Sequence, residues 1–203
     1  MPTLSSRRGS GLILIIGFAW LFLAIVLGAS GRLQALHPPG PQIVLFGLTA
    51  AVLIALTRPA PARRWVNSLP LRALVVLHLT RFAAGADFLR LYARGELPRA
   101  FAVPCGWGDI LVSVLAAGLL LGGSPSTPGR NRLYLLWNLL GLTDILFVVA
   151  TATRLGIANP GSMQALLRLP LSLLPTFLVP LIIASHALMI LRLRGRLESA
   201  SPR

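Results

Sequence analysis

Lysine is absent from this 203-residue chain and acid is nearly so: the 19 basic residues are all Arg, five residues are Asp or Glu, and only 12% are charged. A soluble domain carries about twice that charged fraction. The polar surface needed to keep a protein of this size in water is therefore missing. Cysteine is scarce as well. The lone Cys105 rules out an internal disulfide, and no CxxC or Cys/His cluster offers a zinc site. Aromatic residues make up 7%, so the mean hydropathy of +0.78 comes from Leu, Val, Ile and Ala, the composition of lipid-facing helices. There is no P-loop, nucleophile elbow, HExxH or dinucleotide fingerprint, which excludes most enzyme classes and makes an enzyme the less expected outcome.

What is present is apolar sequence in long runs. The patterning predicts an all-α polytopic membrane helix bundle of about six transmembrane helices, near residues 11–29, 42–57, 69–94, 107–122, 133–153 and 169–191. The first run follows Arg7 and Arg8, and its nineteen residues exceed the apolar region of a cleaved signal peptide, although Gly28-Ala29-Ser30 would offer a cleavage site. The prolines of His37-Pro38-Pro39-Gly40-Pro41 end it in a loop. For the third segment, Ser68 reads as an N-cap, Pro70 as a first-turn residue and Gly95 as the left-handed stop. A surface amphipathic helix is the competing reading, because this stretch carries Arg72, His78, Arg81, Asp87 and Arg90. In the sixth segment Pro175 and Pro180 predict kinks.

The net charge of +14 would suggest nucleic acid as the partner of a soluble protein. Here the Arg residues sit in short runs between apolar stretches, the mark of cytoplasmic loops, so the lipid bilayer is the expected partner and nucleic acid is not. With the N-terminus inside, the inner segments hold eleven Arg and the outer loops five, the other three lying within the third span. Both termini are thus expected in the cytoplasm. An Arg- and Ala-rich chain suits a GC-rich bacterial genome and an inner (plasma) membrane.

An ionisable side chain at mid-membrane costs at least about 2.5 kcal/mol on insertion scales, so each should face the bundle and find a partner. Counted from the inner boundary at 1.5 Å per residue, His78, Asn138 and His186 share one depth. Arg81 and Asp144 lie a little deeper and are of opposite charge, which makes them the expected pair. Spacing of three puts His78 and Arg81 on one face, while Asp87 should pair with Arg90. His78, Arg81, Asn138, Asp144 and His186 thus form a candidate polar cluster that either binds a small ligand or ion or glues the helices together. Two His at one depth also raise a b-type haem, with Arg81 near its propionates, as an alternative. A structural or partner-binding subunit, including a homo-oligomer, is the third reading.

Phe101 to Asp109, FAVPCGWGD, contains Pro104, Gly106 and Gly108, and predicts a broken outer-side segment at Gly106, Gly108 and Asp109, with Asp109 capping a helix that begins at Ile110. Its GWGD is similar to the GxGD string of intramembrane aspartyl proteases and prepilin peptidases, in which two carboxylates share a proton. The resemblance fails on order and depth: no Tyr-Asp motif precedes it, and Asp109 is expected about 10 Å or more from Asp144 along the membrane normal. The wider ELPRAFAVPCGWGD pattern resembles an uncharacterised family of bacterial multi-pass membrane proteins, which implies an inner-membrane location and brings no activity with it. A C-terminal alkaline phosphatase fusion should be inactive and a C-terminal fluorescent protein fusion bright, and the opposite pair of readouts would overturn the cytoplasmic placement of the termini.

Overall fold

The computed structural model describes residues 4–199, with side chains from 11 to 194, and the described chain is 82% helical with no strand. Eight α-helices follow in order: α1 Leu4–Ala29, α2 Gly40–Thr57, α3 Ala60–Ser68, α4 Leu71–Leu77, α5 Thr80–Ala93, α6 Arg99–Leu121, α7 Pro128–Ala158 and α8 Val179–Ser199. A 3₁₀ helix, Pro160–Leu167, and a π-helical segment, Leu174–Leu178, lie between α7 and α8. Among the described residues five helices are long and apolar enough to cross a membrane, and a sixth span results if α3 and Leu71–Ala93 count as one broken element. Outward faces are as apolar as the interior, with Phe18, Trp107, Leu111 and Val114 all exposed, as hydrocarbon requires. This is an all-α polytopic helix bundle.

The chain divides into two compact units, residues 1–70 with 166–181 and residues 71–165 with 182–203. In the first, α1 packs on α3 and on the π-helical segment, and α2 packs on the same two elements. The prolines explain that segment. Pro180 has no N–H to offer the carbonyl of Thr176 one helical turn before it, and Trp20 Nε1 donates to that carbonyl instead at 2.9 Å. Trp20 also meets Phe177 edge on, with centroids 4.7 Å apart. The span expected over 169–191, with kinks at Pro175 and Pro180, is turn, π-helical segment and α-helix in succession. The spans expected over 107–122 and 133–153 belong to longer helices, the first to the C-terminal part of α6 with Gly122 as its cap and the second to the middle of α7.

The expected single helix over 69–94 is also corrected. Leu69 is extended (ψ 135°), because the Pro70 ring disfavours the helical conformation in the residue before it. Ser68 consequently ends α3, donating to the Trp65 carbonyl at 2.6 Å, and caps nothing downstream. At its far end the sequence expectation holds. Gly95 adopts φ 74°, Gly95 N donates to Tyr92 O and Glu96 N to Leu91 O, both at 2.9 Å, which is the Schellman pattern.

In the second unit, α5 and α6 form a tight antiparallel pair. The ladder between α4 and α5 tightens to 3₁₀ bonds, from His78 N to Val75 O at 3.0 Å through Phe82 N to Leu79 O at 3.2 Å. Side chains three apart eclipse one another in such a turn, so His78 and Arg81 point the same way. FAVPCGWGD, expected to be broken, is continuous α-helix through Pro104. Its glycines serve packing. A Cβ at Gly85 would strike the Gly106 carbonyl, and one at Gly106 would lie 3.0 Å from the Gly85 carbonyl, so the two backbones touch. Beyond this contact Leu71, Val75, Val112, Ala116, Trp137 and Met189 close a core shared by α4, α6, α7 and α8.

Gly85→Ala should lower stability by about 1 to 3 kcal/mol through overpacking, although Ala is the better helix former by about 1 kcal/mol. Gly118→Ala, where a Cβ meets nothing within 4 Å, should be neutral or stabilising. Thermal unfolding of the two variants in detergent checks this, and equal shifts would show that the α5–α6 backbone contact is not required.

Candidate functional site

Two helix backbones in contact at Gly85 and Gly106 bring the residues one turn away face to face: Arg81 on α5 and Asp109 on α6. Arg81 Nε donates to Asp109 Oδ1 at 2.6 Å. Arg81 Nη2 donates to Asp144 Oδ2 on α7, and Nη1 to the Gly141 carbonyl at 3.0 Å. Arg81 is 1% exposed and Asp109 3%. The Asp144 side chain keeps 15% of its surface open. Gly108 makes room for it, since a Cβ there would collide with Asp144 Oδ1. Three positions of GWGD thus have separate tasks: Gly106 admits α5, Gly108 admits the Asp144 carboxylate, and Asp109 binds the guanidinium.

This corrects the expectation for Asp109. With α6 beginning at Arg99 rather than Ile110, Asp109 is the eleventh residue of the helix and not a first-turn cap. Ten residues move it about 15 Å deeper at 1.5 Å per residue. The separation expected between Asp109 and Asp144 is removed, and both carboxylates bind one guanidinium. Each is held by its own nitrogen of that guanidinium, Asp109 by Nε and Asp144 by Nη2. The expected pair of Arg81 with Asp144 is present, with a second anion. Asp87 pairs with Arg90 Nη2 at 2.8 Å, as the i, i+3 spacing predicts.

His78, His186 and Asn138 lie beside this cluster, joined to it through Gly141. A Cβ at Gly141 would meet His186 Cε1 at 2.7 Å and Nε2 at 3.2 Å. Asn138 clasps His186 twice: its Nδ2 donates to the His186 carbonyl at 3.0 Å, and its Oδ1 lies 2.8 Å from His186 Nδ1. His78 Nε2 lies 3.0 Å from Ser185 Oγ. The two imidazoles are 4.3 Å apart between centroids, and Trp137 meets His78 edge on at 5.0 Å. All five residues of the expected polar cluster therefore gather in one region. Sequence reasoning missed Gly85, Gly141, Trp137 and Ser185, and the available signal was a Gly inside an apolar helix, which marks close approach between helices in a membrane.

The haem alternative does not fit. Two axial imidazoles with metal–nitrogen bonds near 2 Å hold their ring centroids roughly 6 Å apart. At 4.3 Å these rings leave no space for an iron between them. Among the described residues no group of three or more His, Cys, Asp or Glu could hold a metal ion.

Fold and site together define a polytopic α-helical membrane protein with an ion-paired polar cluster inside its bundle. The chain belongs to the family described as a domain of unknown function (DUF8737), whose model matches residues 38–194 and so contains every residue of the cluster. No curated protein and no solved structure matches it.

Removing one partner of a buried ion pair costs about 3 to 5 kcal/mol because the other charge is stranded. Arg81→Leu strands two carboxylates and the double variant Arg81→Leu/Asp144→Leu still strands Asp109, so the double should recover only part of the loss. Adding Asp109→Asn should restore most of the folded yield in detergent. Full recovery already in the double variant would show that Asp109 does not share the guanidinium.

Proposed function

We propose that this protein is a small transport-type membrane protein of the bacterial inner membrane that binds a cation, the proton included, at the Arg81, Asp109 and Asp144 cluster. One observation supports this reading above the others: a single buried guanidinium faces two carboxylates, so with all three ionised the cluster carries one excess negative charge in an apolar bundle. Low dielectric makes an unbalanced buried charge costly, and a bound cation or proton removes the imbalance. The partly open Asp144 is the natural point of entry.

Interhelical glue is the competing reading, and the hydrogen bonds that Arg81 donates to three partners agree with it. Glue, however, needs only one carboxylate per guanidinium. The second carboxylate, with Gly85 clearing space beside Asp109 and Gly108 beside Asp144, favours an ion site. The Arg asymmetry supports a cytoplasmic position for both termini, with the loop after α6 on the same inner side. There Arg130 Nη2 donates to the Gly123 carbonyl at 2.8 Å and Arg72 Nη2 to the Leu120 carbonyl at 2.8 Å, fixing the helix end.

Liposomes containing the purified protein and a trapped pH dye test the proposal. An imposed pH or cation gradient should dissipate faster than in protein-free vesicles, and Asp144→Asn should abolish the difference. Dissipation no faster than in protein-free vesicles for protons and monovalent cations would reject transport by this site.

A further inference from the structure

His78 and His186 are each wholly buried, and the hydrogen bonds around them indicate which ring nitrogen carries the proton. Ser185 has one hydroxyl proton and gives it to the Ile182 carbonyl at 2.8 Å, so toward His78 its oxygen accepts and His78 Nε2 is the donor. Asn138 uses its amide nitrogen on the His186 carbonyl, so its oxygen accepts from His186 Nδ1. The remaining nitrogens, His78 Nδ1 and His186 Nε2, are lone pairs with no hydrogen-bond partner. Two open acceptors on neighbouring rings, buried without a donor, are an unusual pairing, since buried polar atoms are nearly always satisfied.

We propose that the His78–His186 pair is a proton-binding site, taking up one proton that balances the excess negative charge of Arg81, Asp109 and Asp144. This rests on the ion-binding reading above, extends that site to the histidine pair beside the cluster and names the ion as the proton. The charge count carries it: one guanidinium and two carboxylates sum to minus one, and one imidazolium brings the cluster to zero. The charge that acts on both rings is Arg81 on α5, whose guanidinium binds Asp109 on α6 and Asp144 on α7. Arg81 opposes a second positive charge, and the two carboxylates offset it. A metal cation is disfavoured by the pair's geometry, because the rings are too close to hold one between them and no third ligand joins them. A proton needs neither. Taken up from water, it forms one N–H bond at an open ring nitrogen, with no bond broken in the protein. His186 Nε2 faces Gly141, whose carbonyl already accepts from Arg81, so the bound proton sits one residue from the ion cluster.

Trp137 packs against both rings, at 5.0 Å from His78 and 6.0 Å from His186, and indole emission is quenched by an adjacent imidazolium. In the full chain with Trp20, Trp65 and Trp107 replaced by Phe, held in lipid nanodiscs, Trp137 emission should fall in one step as the pH is lowered and a ring takes up its second proton. The step should be lost in His186→Gln and in Asp144→Asn, whose cluster is already neutral. Because either variant can misfold, the unaltered chain labelled with ¹⁵N-histidine gives an independent reading. One of the two buried rings, His78 or His186, should convert from the one-proton to the two-proton form. Flat Trp137 emission, a step that survives His186→Gln, or buried rings that both stay in the one-proton form would overturn the site. A titrating pair in a protein without flux would keep the proton site and remove transport, whereas flux with a silent pair would place the transported ion elsewhere.

Discussion

The second unit of this protein is organised around one buried guanidinium. Arg81 cannot lose its charge in any ordinary protein environment, so in an apolar bundle it must be met by anions and acceptors at fixed positions. Asp109, Asp144 and the Gly141 carbonyl meet it, and they lie on two different helices. The helices α5, α6 and α7 thereby acquire a register that hydrophobic packing between apolar surfaces in lipid would leave loosely specified, because lipid tails are as apolar as the side chains. Such polar contacts add little stability on average, and their larger effect is on which arrangement is adopted.

Glycine makes this geometry attainable. An Arg–carboxylate contact across two helices needs close backbones, and Gly85 with Gly106 supplies the approach while Gly108 and Gly141 admit Asp144 and His186. Each Gly in a helix interior costs about 1 kcal/mol relative to Ala, so four at one polar cluster signify a local conflict between propensity and packing. The 3₁₀ turn at His78 adds to this pattern. It interrupts regular helix in the middle of the span and aligns His78 with Arg81, linking the histidine pair to the ion cluster.

Much of the architecture was legible in sequence because apolar run length reports the solvent directly. The Arg81 pairing with Asp144 was legible too, since only a few charges fall at mid-membrane and two of opposite sign at one depth have little choice. Asp109 was misplaced because Pro and Gly carry the same letter whether they break a helix or let another one approach, and FAVPCGWGD holds all three such residues in nine positions. Helix α3 escaped because nine residues, Ala60–Ser68, are too short for a span and merge with the apolar run that follows. Depth matching brought His78 and His186 together correctly, yet depth carries no information on rotation about the helix axes. The 4.3 Å ring separation that excludes haem is set by rotation.

The central claim is that one guanidinium is shared by two carboxylates from different helices. Solid-state NMR distance measurement between ¹⁵N-labelled guanidinium nitrogens and ¹³C-labelled Asp carboxyl carbons tests it in membranes, with Arg81→Leu as the subtraction control that isolates the Arg81 signal. The account predicts two carboxyl carbons, those of Asp109 and Asp144, each within about 4 Å of an Arg81 nitrogen, as charge-assisted hydrogen bonds require. Coupling of Arg81 to a single carboxylate, or to none, would contradict it.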